Sequence, residues 1–172
     1  MGELLFNPNG RIGRNRFWQG MVILTVASVL VAAGFRMVSV PLVFLHFVLI
    51  YPYICVVGKR LHDAGLTAWL SLLVWLAAMI VNQIVSGILG TFMISPETME
   101  TYERVMELLE RNEVEPAMEG MMIVLRDTVP LVVVTTILVG AVVALALGAV
   151  RSEPRENKHG PVPGPDPSGT FQ

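Results

Sequence analysis

The sequence predicts an all-α fold, an integral membrane bundle of about four transmembrane helices with an amphipathic helical segment outside the bilayer. Three observations lead there. Of the 172 residues 53% are apolar, whereas charged residues are 15%, against roughly 25% in a soluble domain. The apolar residues fall into uncharged blocks close to the ~20 residues that span the hydrocarbon core as a helix. No block alternates with period two, which argues against a transmembrane barrel.

The blocks are residues 17–35, 37–57, 68–93 and 129–150. Ahead of the first, Leu4, Leu5 and Phe6 are expected to dip into the membrane interface. Asn7-Pro8-Asn9-Gly10 reads as a tight turn. The basic start and the small residues Ala32, Ala33 and Gly34 have the outline of a signal peptide. However, the run exceeds the usual 7–15-residue core, and a second span follows at once.

A short link around Arg36 makes spans one and two a hairpin, and Pro41 and Pro52 are candidate kink sites in span two. The loop of residues 58–67 leads to span three, with Gly65 placed to end a helix and Thr67 to cap the next. Residues 94–128 are acidic and helical in pattern. Ser95-Pro96-Glu97 is a helix start, and Met99, Tyr102, Met106 and Leu109 form an apolar stripe. Met118, Met121, Met122 and Leu125 repeat the spacing beyond Pro116, so one or two amphipathic helices are expected on the face of the bundle or membrane. The tail, residues 151–172, is rich in Pro and Gly and is expected to be a disordered cytoplasmic extension.

Charge sets the orientation. With the N-terminus inside, Arg11, Arg14, Arg16, Lys59, Arg60, Arg151, Arg155 and Lys158 all lie inside, and both termini are cytoplasmic. Cys55 is the sole cysteine and cannot form an internal disulfide.

Two inner segments carry a resemblance. One is Gly10-Arg11-Ile12-Gly13-Arg14-Asn15-Arg16-Phe17-Trp18; the other is Lys59-Arg60-Leu61-His62-Asp63-Ala64-Gly65-Leu66-Thr67-Ala68-Trp69. Together they resemble the small bacterial inner-membrane proteins of domain-of-unknown-function family 805. Its pattern is a G-R-x-x-R-x-x-[FY]-W box and an R-L-H-D-x-G-x-[ST]-x-W box, with a tail similar to N-x-x-G-x-D-P. Asn157-Lys158-His159-Gly160 followed by Pro165-Asp166-Pro167 matches the tail, Ala68 stands where glycine is usual, and the acidic segment is larger than the family's outer loop. The resemblance implies a multi-span inner-membrane protein and brings no activity with it.

Topology puts both boxes at one surface. Arg11, Arg14, Arg16, Lys59, Arg60, His62 and Asp63, flanked by Trp18 and Trp69, are candidates for a site taking a phospholipid headgroup or an acidic partner segment. The plainer reading is that the cations hold these ends inside while Asp63 pairs with an arginine. A second candidate is an intramembrane polar layer of His46, Asn82, Gln83, Thr135 and Thr136, serving either as a solute or ion path or as interhelical glue. Gly140, Ala144 and Gly148 on span four, and Ser86 and Gly90 on span three, suit close helix packing, within the chain or in a homo-oligomer.

No nucleophile motif, phosphate loop, dinucleotide fingerprint or zinc box is present, so no enzyme activity, metal or cofactor is expected. The methionines of the acidic segment fit an apolar face better than a Cu(I) site. Expected partners are membrane lipids, anionic phospholipid among them, or a membrane or cytoplasmic protein, and not nucleic acid. The orientation is checked with single cysteines in a Cys55→Ser background of intact cells. Glu107→Cys is expected to label from outside and Thr67→Cys to stay unlabelled; the reverse pattern overturns the topology.

Overall fold

The computed structural model describes residues 2–37 and 44–164, and the described residues contain seven helices and no strand. These are α1 (Gly2–Phe6), α2 (Arg14–Met37), α3 (Leu45–Asp63), α4 (Leu70–Met93), α5 (Pro96–Glu110), α6 (Val114–Asp127) and α7 (Val129–Ala149). Three of them, α2, α4 and α7, are long and apolar enough to cross a bilayer, which fits a membrane protein. Their outward apolar side chains, such as Val26, Leu30, Leu72, Ile80 and Leu145, are exposed, as helices facing lipid require.

The described part of α3 does not meet that criterion, so the count of four spans differs from the three helices found. The boundary also moves. Predicted span two stopped at residue 57, but α3 continues through Lys59, Arg60, His62 and Asp63, and the loop begins only at Ala64. Hydropathy marks where apolar residues stop, whereas the helix stops where its carbonyls find other partners. Here Gly65, at φ +74°, lets Leu66 N–H donate to Leu61 O and Gly65 N–H to His62 O, a Schellman ending. Pro41 lies outside the described residues, and Pro52 is inside α3. Arg36 is not in a link but in the last turn of α2, donating to the Thr128 hydroxyl at 3.0 Å.

Helix α2 is the centre of the packing. Against α7, a Cβ on Gly140 would lie 2.5 Å from the Thr25 hydroxyl and one on Gly148 would lie 3.0 Å from the Trp18 ring, so the small residues of span four serve contacts within the chain. Against α3, Gly20 accommodates Val56, and Ser28 bonds the Tyr53 hydroxyl at 3.1 Å. The core of Phe17, Met21, Leu24, Val56, Leu61 and Leu147 gathers at the end where α2 starts and α3 and α7 finish. Leu4 joins that core rather than the membrane interface.

At the other end, α5 and α6 form a helical hairpin. Ser95 Oγ accepts from Thr98 N–H, Pro96 opens α5, and the break comes at Asn112, whose φ is +59°. Pro116 then sits in the first turn of α6. Val105 and Ala117 are buried in this hairpin, while Met99, Tyr102, Met106 and Leu109 stay exposed.

Candidate functional site

The two sequence boxes and the tail meet at the end of the bundle where the core lies. The centre is Asp63, fully buried at the end of α3. Its Oδ1 accepts from Arg11 Nη2 at 3.1 Å and Nε at 3.3 Å, and its Oδ2 accepts from Arg60 Nη1 at 2.6 Å. The spacing is local for Arg60, three residues back on the same helix face, and long-range for Arg11, which the turn ending at Gly10 delivers from the chain start. Both guanidinium groups are 1% exposed.

Two cations against one carboxylate leave an excess positive charge out of water, which needs oriented acceptors. The fold supplies backbone carbonyls. Arg60 Nε donates to Leu147 O at 3.1 Å, and its Nη2 donates to Gly148 O at 3.4 Å and to Val150 O. Those carbonyls close α7, so the guanidinium caps the negative end of that helix dipole. Arg11 takes the tail: Nη2 donates to Glu153 O at 2.6 Å, and Nη1 donates to Arg155 O at 2.8 Å. Lys59 is also buried and caps α1, donating to Glu3 O at 2.6 Å and Leu4 O at 2.7 Å. Arg11, Lys59, Arg60 and Asp63 are therefore engaged with this chain's own groups and hold helix ends together.

The tail is the main correction at this site. Residues 151–164, expected to be disordered from their proline content, run across the ends of α3 and α7 in hydrogen-bonded contact. Glu153 N–H donates to Asp63 O at 2.7 Å. Asn157 Nδ2 donates to His62 O at 3.0 Å and to Glu153 Oε2 at 2.7 Å. Asn157 and Gly160 exchange backbone hydrogen bonds in a turn where Gly160 has φ +129°. Gly65 is needed twice, for its positive φ and because a Cβ there would come within 2.7 Å of Glu153 Oε2. Composition missed this because the groups that dock the tail on the bundle, Arg11, His62 and Asp63, are far away in sequence. The N-x-x-G element was the one local signal.

His62 and His159 stack with centroids 3.7 Å apart and planes 8° from parallel. His62 Nδ1 lies 3.1 Å from Gly10 O. Stacked rings direct their in-plane lone pairs side by side rather than toward one point, a poor arrangement for a shared metal. Among the described residues no three His, Cys, Asp or Glu side chains are grouped to hold one. Burial, then the His62 ring and Lys158, hold the His159 imidazole below its ordinary value of 6.5.

The remaining inner candidates separate. Arg14 and Arg16, exposed in the first turn of α2, line an open pocket of about 560 Å³ with Glu3, Asn7, Asn9 and Lys59. Trp18 packs on Gly148, and Trp69 is exposed, so they do not form a matched pair of walls around it. The residues of the expected intramembrane layer lie on α3, α4 and α7. His46 is in the first turn of α3 rather than at mid-span. Asn82 and Gln83 line a groove on α4. Thr135 is buried and bonds Leu131 O in its own helix at 2.8 Å. Neither Asn82 nor Gln83 makes a side-chain hydrogen bond among the described residues.

A family model described as "Protein of unknown function (DUF805)" matches residues 5–161, a stretch that includes both boxes, the bundle and the latched tail. No match was found among curated proteins or among solved structures.

Two outcomes check this site. Asp63→Ala strands two buried guanidinium groups and is expected to cost about 3–5 kcal/mol, read as a lowered thermal midpoint in detergent, while Arg14→Ala costs under about 1 kcal/mol. The lowered His159 value means that the docked tail holds the neutral imidazole. Docking is then at full strength above the ordinary value near 6.5 and weakens as pH falls through the lower value of the docked state. A spin label at Glu156→Cys, in Cys55→Ser, is expected to gain mobility between pH 8 and pH 5, and His159→Phe to flatten most of that change. Mobility that stays constant over the range rejects the coupling.

Proposed function

Because the chain belongs to the family of proteins of unknown function DUF805, whose membership brings no activity with it, we propose a role from the site itself: a non-enzymatic, multi-pass inner-membrane protein whose basic cytoplasmic pocket binds the phosphate headgroup of an anionic lipid. The observation that carries this reading is the open pocket at the start of α2. The first turn of α2 offers backbone N–H groups that lack helical acceptors, and it contains no acidic residue. Cations at a helix N-terminus oppose the macrodipole, so Arg14 and Arg16 there make an anion the favoured neighbour. The pocket stands at the end of a spanning helix, the level at which headgroups lie. An acidic segment of a partner protein would offer the same charge, but lipid is already present at that depth.

The same reading takes α3 as a fourth crossing. Arg11, just before α2, bonds Asp63 at the end of α3, so the two helices run antiparallel. The 19 residues of α3 rise about 28 Å, close to the ~30 Å of a hydrocarbon core. The basic boxes then face the cytoplasm by the positive-inside rule, and both termini with them.

Short-chain phosphatidylglycerol titrated into the detergent-purified protein tests the pocket, with phosphatidylcholine as the neutral control. The Arg14→Gln/Arg16→Gln variant is expected to bind the anionic lipid about thirtyfold more weakly, at roughly 1 kcal/mol per cation. The wild-type affinity is expected to fall with added salt. Equal binding of both lipids, or an affinity indifferent to salt and to the substitutions, would end this reading.

A further inference from the structure

Helix α4 is apolar toward its ends and carries polar side chains at its centre. Within α4 only Ser71 is buried, close to its start. The contacts of α4 with α7 use the side bearing Gly90, which meets Leu131. Farther back along α4 a groove of about 250 Å³ is lined by Trp75, Ala78, Met79, Asn82 and Gln83, all from α4 itself, with Trp75, Met79 and Gln83 exposed. Asn82 and Gln83 stand at the middle of this 24-residue helix, and neither amide makes a side-chain hydrogen bond among the described residues. One turn on from Gln83, a Cβ on Gly87 would meet nothing within 4 Å.

In hydrocarbon this arrangement is incomplete. No water is at hand to satisfy an amide at mid-bilayer, and an unpaired amide facing acyl chains costs free energy that a helix partner can recover. We infer that two copies of this chain pair through α4, with the amides of Asn82 and Gln83 bonded across a twofold axis along the membrane normal. An amide carries both donors and acceptors, so it is its own complement. All copies share one orientation in the membrane, and rotation about the normal therefore brings each amide opposite its twin at the same depth. A different protein would need a polar side chain placed at that depth independently. The bare Gly87 lets the two backbones approach next to the amide pair, and Trp75 and Met79 fill the interface on the preceding turns. The pairing uses none of the pocket residues and stands apart from the lipid reading.

The test uses the full chain in liposomes. In a Cys55→Ser background, Met79→Cys is expected to give a covalent dimer on mild oxidation, and Leu145→Cys, exposed on α7, to give little. Energy transfer between donor- and acceptor-labelled copies should fall on dilution with lipid. The Asn82→Leu/Gln83→Leu variant should need about tenfold higher protein density for the same transfer, the loss of one or two interhelical hydrogen bonds. Its helical content and thermal midpoint should hold, since neither amide makes a side-chain hydrogen bond among the described residues. Three results overturn the pairing: transfer in the wild type no greater than random crowding predicts, undiminished transfer in the double variant, or equal cross-linking at Leu145. A liposome monomer whose Met79→Cys cross-links in cells to a different protein would replace self-pairing with that partner.

Discussion

Asp63 is the group on which the rest of the structure turns. Its carboxylate joins an arginine from the chain start to one from its own helix, and those two arginines hold the end of α7 and the tail. A buried ion pair is seldom a large net source of stability, because desolvation offsets much of the attraction. What it provides here is a single geometry. Either guanidinium without Asp63, or Asp63 without both, would be a bare charge out of water, so competing arrangements of these helix ends are strongly disfavoured. The carbonyl acceptors matter equally, since they offset the excess positive charge with the negative ends of helix dipoles.

This arrangement solves a problem specific to a small bundle in lipid. Apolar side chains gain nothing by leaving acyl chains for one another, so the hydrophobic effect cannot specify which helices touch. Two other forces do so. Small residues permit backbone approach, as Gly140 and Gly148 do against Thr25 and Trp18, and Gly20 does against Val56. Polar groups clustered beyond the apolar spans then fix which ends meet. The division places directional bonding where the chain leaves the hydrocarbon, with only close packing and single bonds such as Ser28 to Tyr53 farther along.

The two proposed binding surfaces lie outside the Asp63 cluster. Arg14 and Arg16 are the basic groups exposed at the α2 start. Helix α4 has the fewest buried residues of the spans, and its central amides line a groove.

The sequence by itself determined the class of protein, the uncharged blocks, the hairpin of amphipathic helices with its Ser95 cap, and the pairing of Asp63 with an arginine. Those properties are local: block length is set against bilayer thickness, capping against the next turn, and Arg60 lies one turn from Asp63. Tertiary structure decided what depends on distant groups. Lys59 and Arg60 are buried because carbonyls of α1 and α7 reach them, and residues 153–157 of the proline-rich tail are docked because Arg11, Asp63 and His62 bind them. Where the polar residues of the spans turn was hidden for the same reason: depth along a helix can be counted from sequence, but in a uniformly apolar helix the direction a side chain faces is set only by what packs against it.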